Sequence, residues 1–372
     1  MNASLREVIE QSDMLLTAGP GGVGKTSTAA ALGVAAARAG RRVVVLTVDP
    51  ARRLAEALGL EEGAAEHEPH RVDLGGSAAE GELSAAMLDA EATFDRLVRE
   101  QAGGDRQAGA VLANPVYRAI AGSFSGAQEY MAIERLHQLH TSGEWDLVIV
   151  DTPPSRHAID LLEAPERLMS FLGHPVYRAL TAGQRTLARL TDAAASIFLW
   201  AVRRLAGPQL VQDVVEFFRS LGHIEPGLRR RAEEVSRLLR SESTSFVVVT
   251  SPRSEAVGEA THLIEALQSR GFPFGGAIAN LVHPVPEPLE SLPAAEVAAL
   301  ESLDDGPLTD HVTWHRQLTA LAASERLELD AVGAACDGVP FVELPLLDVD
   351  IRDVDDRGIL ADLLMAGSPR QH

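Results

Sequence analysis

A short apolar run, Met14-Leu15-Leu16-Thr17, leads into Gly19-Pro20-Gly21-Gly22-Val23-Gly24-Lys25-Thr26-Ser27, and an alanine-rich stretch follows from Thr26 to Arg38. The spacing predicts strand, glycine loop and helix. A loop of this kind points successive backbone N–H groups at a phosphate and adds the partial positive charge of the helix N-terminus. Lys25 is the only lysine among 372 residues, beside 32 arginines. Lysine is a compact point charge on a thin stem, able to thread past backbone to bridging phosphate oxygens, whereas arginine is a broad planar fork. In the pattern G-x-x-x-x-G-K-[ST], Gly19 to Ser27 cradle the phosphates. Lys25 neutralises the β and γ oxygens, and Thr26 ligates Mg²⁺ through its hydroxyl.

The rest of the chain repeats a two-faced apolar strand. Arg42 to Val48, Asp146 to Val150, Phe246 to Thr250, Gly276 to Asn280 and Phe341 to Leu344 are apolar runs of this type. Helical patterns separate them, most clearly Glu255 to Arg270. Continuous apolar strands alternating with helices predict a mainly parallel sheet covered on both faces, an α/β fold. Gly59 to Glu82 is polar, glycine-rich and acidic and reads as a loop, with helical patterning onward to about His140. Between Ala158 and Arg240 strand signals vanish, while Leu161, Leu168, Phe171, Leu172, Phe198, Val214, Phe217 and Phe218 recur at helical spacings. That stretch predicts an inserted helical subdomain. Its apolar stripes either bury against one another or form a groove for a hydrophobic client.

Two strands end in carboxylates. Leu147-Val148-Ile149-Val150 runs into Asp151, placed to hold a Mg²⁺-bound water at the carboxyl edge of the sheet, and Arg42 to Val48 runs into Asp49-Pro50, where a carboxylate can orient the attacking water. Composition narrows the partners. A formal charge of −20 argues against nucleic acid and anionic membrane, both of which reward basic patches. Met1 to Ser12 is polar and acidic rather than basic then apolar, so no secretory signal is expected, and no apolar stretch reaches the roughly 20 residues that a bilayer requires. Cys336 is the single cysteine, which rules out an intramolecular disulfide or a cysteine-paired metal site within one chain and fits a reducing, cytoplasmic setting.

The order and spacing of Gly21-Gly22-Val23-Gly24-Lys25-Thr26, Asp49-Pro50-Ala51-Arg52-Arg53-Leu54, Asp151-Thr152-Pro153-Pro154-Ser155-Arg156-His157 and Asn280 resemble the ArsA/Get3 family of anion-transporting and tail-anchored-protein-targeting ATPases. The arginine-rich variants are most similar to actinobacterial ArsA-like ATPases. The resemblance covers nearly the whole chain. It implies one P-loop NTPase domain over 1–372, with a loop and helical insertion at 59–140 between two switch segments and a helical subdomain at 158–240. It further implies ATP with Mg²⁺, water activation by Asp49, metal support by Asp151, and adenine recognition by Asn280 with the Pro345-Leu346 loop.

The family loop usually begins G-K-G-G, its first lysine reaching the neighbouring subunit's ATP; here Pro20 stands at that position. Three readings follow: a weakened ATPase, a substitute cation, or a paralogous partner that supplies the lysine. Arg156 and Arg253 are the candidate trans contacts, each alternatively a surface salt bridge, and Arg52 is a weaker one. The cysteines that bind zinc or sense arsenite in the family are absent, which weakens the targeting and arsenite-pump functions. The resemblance therefore implies a dimeric ATPase, a homodimer or a heterodimer with a paralogue, coupled to a hydrophobic client or membrane-protein partner. The alternative is a low-turnover ATP-binding scaffold or regulatory subunit.

Overall fold

The structure, a computed structural model, describes residues 4–48, 68–74, 81–102, 104–117, 127–181, 193–287, 307–348 and 354–366. Its strands are β1 (Met14–Ala18), β2 (Arg42–Thr47), β3 (His70–Arg71), β4 (Glu82–Met87), β5 (Leu147–Asp151), β6 (Thr244–Thr250), β7 (Phe274–Val282) and β8 (Phe341–Pro345). They form one sheet in the order β3-β4-β2-β5-β1-β6-β7-β8, and only the β3–β4 pair is antiparallel. The helices are α1 (Leu5–Gln11), α2 (Lys25–Arg38), α3 (Ala90–Gln101), α4 (Asp105–Leu112), α5 (Ala127–Thr141), α6 (Ser155–Gly173), α7 (Pro175–Thr181), α8 (Ala193–Leu239), α9 (Ser254–Ser269), α10 (Pro307–Ala335) and α11 (Val354–Ala366). This is the α/β arrangement of a P-loop NTPase.

The two-faced strands divide their side chains by the period of two. Val44, Leu46, Val148 and Val150 enter a core with Leu136 of α5, Leu161 of α6, Leu263 of α9 and Leu329 of α10. Val43, Val45, Leu147 and Ile149 face the opposite way, into a core with the alanines of α2 and with Leu360 and Leu364 of α11. Small residues let α2 approach the sheet closely. A methyl group added at Gly33 would stand 2.8 Å from Val45 Cγ2 and 3.0 Å from Leu83 Cδ1.

Residues 82–87 depart from the sequence expectation, which ended a loop at Glu82 and began helical patterning after it. They form strand β4, because Leu83 and Ala85 bury on one face and Ala86 on the other beside β2. Alanine is a good helix former in isolation, and here the sheet overrides that preference.

A third core lies among helices alone. Leu97 and Val98 of α3, Val111 of α4, Tyr130 and Met131 of α5, Leu172 of α6, Tyr177 of α7 and Phe217, Leu221 and Leu228 of α8 pack together. Helices from the segment before β5 thus share a core with helices from the segment after it. Phe171, Tyr177, Phe217 and Phe218 form a chain of aromatic contacts with centroids 5.3 to 6.3 Å apart. In helix α6, Ala158 and Leu161 sit in the sheet core and Ala164 and Leu172 in the helical core, so one helix, with Pro165 inside it, joins both.

Candidate nucleotide-binding site

Register sets the site. Thr17 of β1 and Thr47 of β2 both pair with Asp151 of β5, which brings three strand ends to one level at the carboxyl edge. Thr152 N–H and its hydroxyl both donate to the Thr17 carbonyl, at 3.2 and 2.8 Å, and the Val48 N–H donates to the Asp151 carbonyl at 3.2 Å. In open α/β sheets ligands bind in the crevice beyond this edge, where successive connections depart to opposite sides. The chain leaves β1 for β2 on one side of it and β5 for β6 on the other.

The glycine loop rises from β1 here. Gly19 is obligatory: a Cβ at this position would stand 2.0 Å from the Val249 carbonyl oxygen of β6. Gly24 has φ +86°, in the left-handed region, and a Cβ there would meet Asn280 Nδ2 at 2.3 Å. Helix α2 begins at Lys25 with no side-chain cap on its N-terminus. Its first N–H groups are therefore oriented for an anion. Val23 is fully buried against Val249 and Ala256, which anchors the loop tip to β6 and to the first turn of α9. Lys25 is buried, and its Nζ donates to the Pro20 carbonyl at 2.8 Å. Pro20 is itself buried and Ser27 half-buried, while Gly21 and Gly22 are exposed.

Asp151 is 2 % exposed, and its Oδ2 accepts from the Thr26 hydroxyl at 2.7 Å and from the Thr47 hydroxyl at 3.4 Å. A carboxylate beside a helix-terminal hydroxyl is a hard oxygen donor set of the type Mg²⁺ prefers. The glycine cradle, buried lysine and uncapped helix fit a phosphate chain. The residues present therefore suit both groups.

On the far side of the loop, Asn280 Nδ2 donates to the Val23 carbonyl at 3.0 Å, so the side chain expected at the base also braces the phosphate loop. Strand β7 shifts register between Ala279 and Val282, and Leu281 takes φ +64°, turning Asn280 inward and Leu281 outward. The Leu346 N–H donates to the Val282 carbonyl at 2.8 Å, and Val282 pairs with Pro345. Leu281 and Leu346 are each 40 % exposed at these neighbouring strand ends. The sequence reading did not single out Leu281, Thr17 or Thr47; a threonine closing each two-faced strand was the available signal for the latter two.

The two arginines differ. Arg156 lies in the first turn of α6, and its side chain is outside the described residues. Arg253 is exposed at the N-cap of α9; its Nε donates to the buried Ser251 hydroxyl at 3.3 Å. A methyl group on Gly22 would lie 3.9 Å from Arg253 Nη2, which places the guanidinium over the phosphate loop of its own chain. Asp49, Pro50 and Arg52 lie outside the described residues. Cys336 is buried, and desolvation pushes its thiol up to about 12, so it is not poised as a thiolate ligand. Among the described residues no cluster of metal-ligating side chains occurs and no helix is long and apolar enough to cross a membrane.

Residues 12–292 match the profile of the family described as anion-transporting ATPase. The chain is also similar to ATPase GET3 of Malassezia globosa, with 23 % identity over 366 residues that span 97 % of this chain and 94 % of the relative. ATPase GET3B of Arabidopsis thaliana is 25 % identical over 367 residues, covering 93 % and 77 %. For ATPase GET3 of Chaetomium globosum the figures are 25 % over 290 residues, covering 77 % and 78 %.

Proposed function

Because the chain belongs to the anion-transporting ATPase family, and so is an ATPase, we propose that it hydrolyses Mg²⁺-ATP at the carboxyl edge of β1, β5 and β6 and passes nucleotide state to its helices. The observation that carries this reading is the 2.7 Å hydrogen bond from Thr26 to Asp151, which joins the glycine loop to the end of β5. In this reading the loop from Gly19 to Gly24 and the first N–H groups of α2 hold the phosphates. Lys25 leaves the Pro20 carbonyl for the β and γ oxygens. Thr26 and Asp151 hold Mg²⁺, which when bound neutralises charge developing on the transferred phosphoryl group. Asp49 orients the attacking water and accepts its proton. Asn280, with the Pro345-Leu346 segment, flanks the base.

Transmission has a physical route. Asp151 leads through Thr152, Pro153 and Pro154 straight into α6; these two prolines stiffen the connection, and the helix, with Pro165 inside it, spans the sheet core and the helical core. We therefore take the helices of 59–140 and 158–240 as one subdomain that moves with the switch after β5 and meets a client or partner, hydrophobic or membrane-embedded. The working unit is a dimer in a cytoplasmic setting, either of two copies or of this chain with a paralogue. Pro20 favours the second reading, a low-turnover nucleotide-binding subunit paired with an active paralogue, because no cation extends from that position. The raised Cys336 thiol speaks against an arsenite-responsive motor.

Steady-state phosphate release from the purified chain, alone and with candidate paralogues, tests the proposal. Asp49→Asn is expected to slow turnover by roughly 10²–10³-fold while leaving ATP affinity within about twofold, and Lys25→Ala to weaken binding itself. Full turnover in Asp49→Asn would remove that residue from the chemistry. Absence of both nucleotide binding and turnover in the unaltered chain would defeat the whole reading.

A further inference from the structure

We propose that Arg253 supplies, from the same chain, a positive charge to the terminal phosphate of the nucleotide held by the glycine loop; this rests on the ATP-binding reading above. Pro20 offers only a carbonyl, already used by Lys25, and has no N–H. A cation from outside the loop comes instead from the β6–α9 connection. Arg253 Nη2 lies 3.9 Å from where a Gly22 Cβ would stand, over the exposed, left-handed stretch of the loop, where Gly22 has φ +73°.

That position is built into the chain. Ser251, buried at 2 % exposure, accepts from Arg253 Nε at 3.3 Å and turns the guanidinium toward the loop. Contact of Val23 with Val249 and Ala256 pins the first turn of α9 to the loop tip, so the arginine and the phosphate cradle move together. Among the described residues Arg253 has no carboxylate partner, and Glu255 in the first turn of α9 forms no ion pair with it. A guanidinium at a helix N-terminus also opposes the helix dipole. An anion placed against Gly22 satisfies both the arginine and the helix end, and a guanidinium matches phosphate oxygens through parallel N–H donors. The loop serves the α- and β-phosphates and Lys25 the β and γ oxygens, so the terminal phosphate, which carries the most negative charge, is the group that gains most from a second cation.

The test compares ATP-like and ADP-like binding. Full-length unaltered chain, Arg253→Ala, Arg253→Lys and Lys25→Ala are titrated with a non-hydrolysable ATP analogue and with ADP, in Mg²⁺, at low and moderate salt. Arg253→Ala is expected to lose about tenfold in analogue affinity with ADP affinity within about twofold, and Arg253→Lys to recover part of the loss. Equal losses for both nucleotides, or none, would overturn the proposal while leaving the ATP site intact. If the unaltered chain binds neither nucleotide, the ATP reading and this proposal fall together. Mixing Arg253→Ala chains with Lys25→Ala chains then fixes the origin of the charge. Turnover that stays low supports action within one chain, whereas restored turnover means that Arg253 reaches across to a neighbouring subunit and overturns the same-chain assignment.

Discussion

The sheet and the helical region both bury side chains, but with different chemistry. Along β2, β5 and β6 most buried positions are apolar, and the buried polar groups Thr17, Thr47 and Asp151 gather at the carboxyl edge where the phosphates would lie. Where α5 meets α8 and α3, an ionic cluster lies beside the apolar packing. Arg231 of α8 contacts Glu134 at 3.3 Å, Glu100 at 3.0 Å, His137 at 2.7 Å and Glu234 at 3.8 Å. Glu134 is fully buried, and Gln138 donates to one of its oxygens at 3.2 Å. Burial pushes the Glu134 carboxyl up to about 7, against the pull of Arg231. Burial, with Arg231 donating toward its ring, pushes the His137 imidazole down to about 4. An apolar core resists change because its packing has no alternative partners, whereas an ionic one has protonation states that shift its balance. The apolar half carries the glycine loop and Asp151, and the ionic cluster lies among the helices that α6 joins to it.

The largest effect expected from this contrast is in the sheet. Ile149→Ala removes a fully buried side chain between β2 and β1 and should destabilise by about 2–5 kcal/mol. Urea denaturation at pH 5.5 and 7.5 should give the same loss; a strongly pH-dependent loss would erase the distinction.

The helical region should respond to pH instead. Folded Glu134 keeps its proton to about pH 7 while the unfolded chain releases it near 4.5, so its contribution is full below 4.5 and is lost as pH rises through 7. At full loss this is on the order of 3 kcal/mol. His137 works in reverse, contributing above about 6.5 and losing that contribution as pH falls toward 4. The two slopes oppose one another between pH 4.5 and 6.5, which predicts a nearly level response in the unaltered chain. Glu134→Gln should unmask stability that rises with pH, and His137→Gln stability that falls with it. Parallel slopes in the two variants would show that the cluster does not titrate as described.

The smallest effects come from one substitution made in both regions. Gly33→Ala drives a methyl against Val45 and Leu83 and should cost about 1–3 kcal/mol. Gly109→Ala, in exposed helix with nothing within 4 Å, should stabilise by about 0.5–1 kcal/mol. Thermal denaturation decides both, and a shift of the same sign at the two sites would mean that packing near α2 is looser than its geometry.

Much of the sheet was legible because a buried parallel strand must be apolar on both faces, as Arg42 to Thr47 and Leu147 to Val150 are. Strand β4 was not, since Ala85 and Ala86 carry no β preference and only their neighbours make them strand. The glycine loop and Asp151 were legible from local pattern. The brace from Asn280 to Val23 joins residues 257 positions apart, and the bulge at Leu281 that aims it has no sequence signature. The shared core of α3 to α8 was hidden for a related reason: apolar stripes show that a face is buried but not against which helix.

By itself the sequence determined the chemistry on offer: a glycine cradle, one narrow cation, a hydroxyl for a metal and carboxylates at strand ends. These are properties of contiguous residues, whose backbone freedom and charge are set locally. Only the tertiary structure decided which of them meet. Parallel register brought Thr26 within 2.7 Å of Asp151, and packing of α9 on the loop tip set Arg253 over Gly22 of its own chain. Such pairings depend on how strands order and helices dock, which is decided by burial summed over the whole molecule rather than by any segment alone.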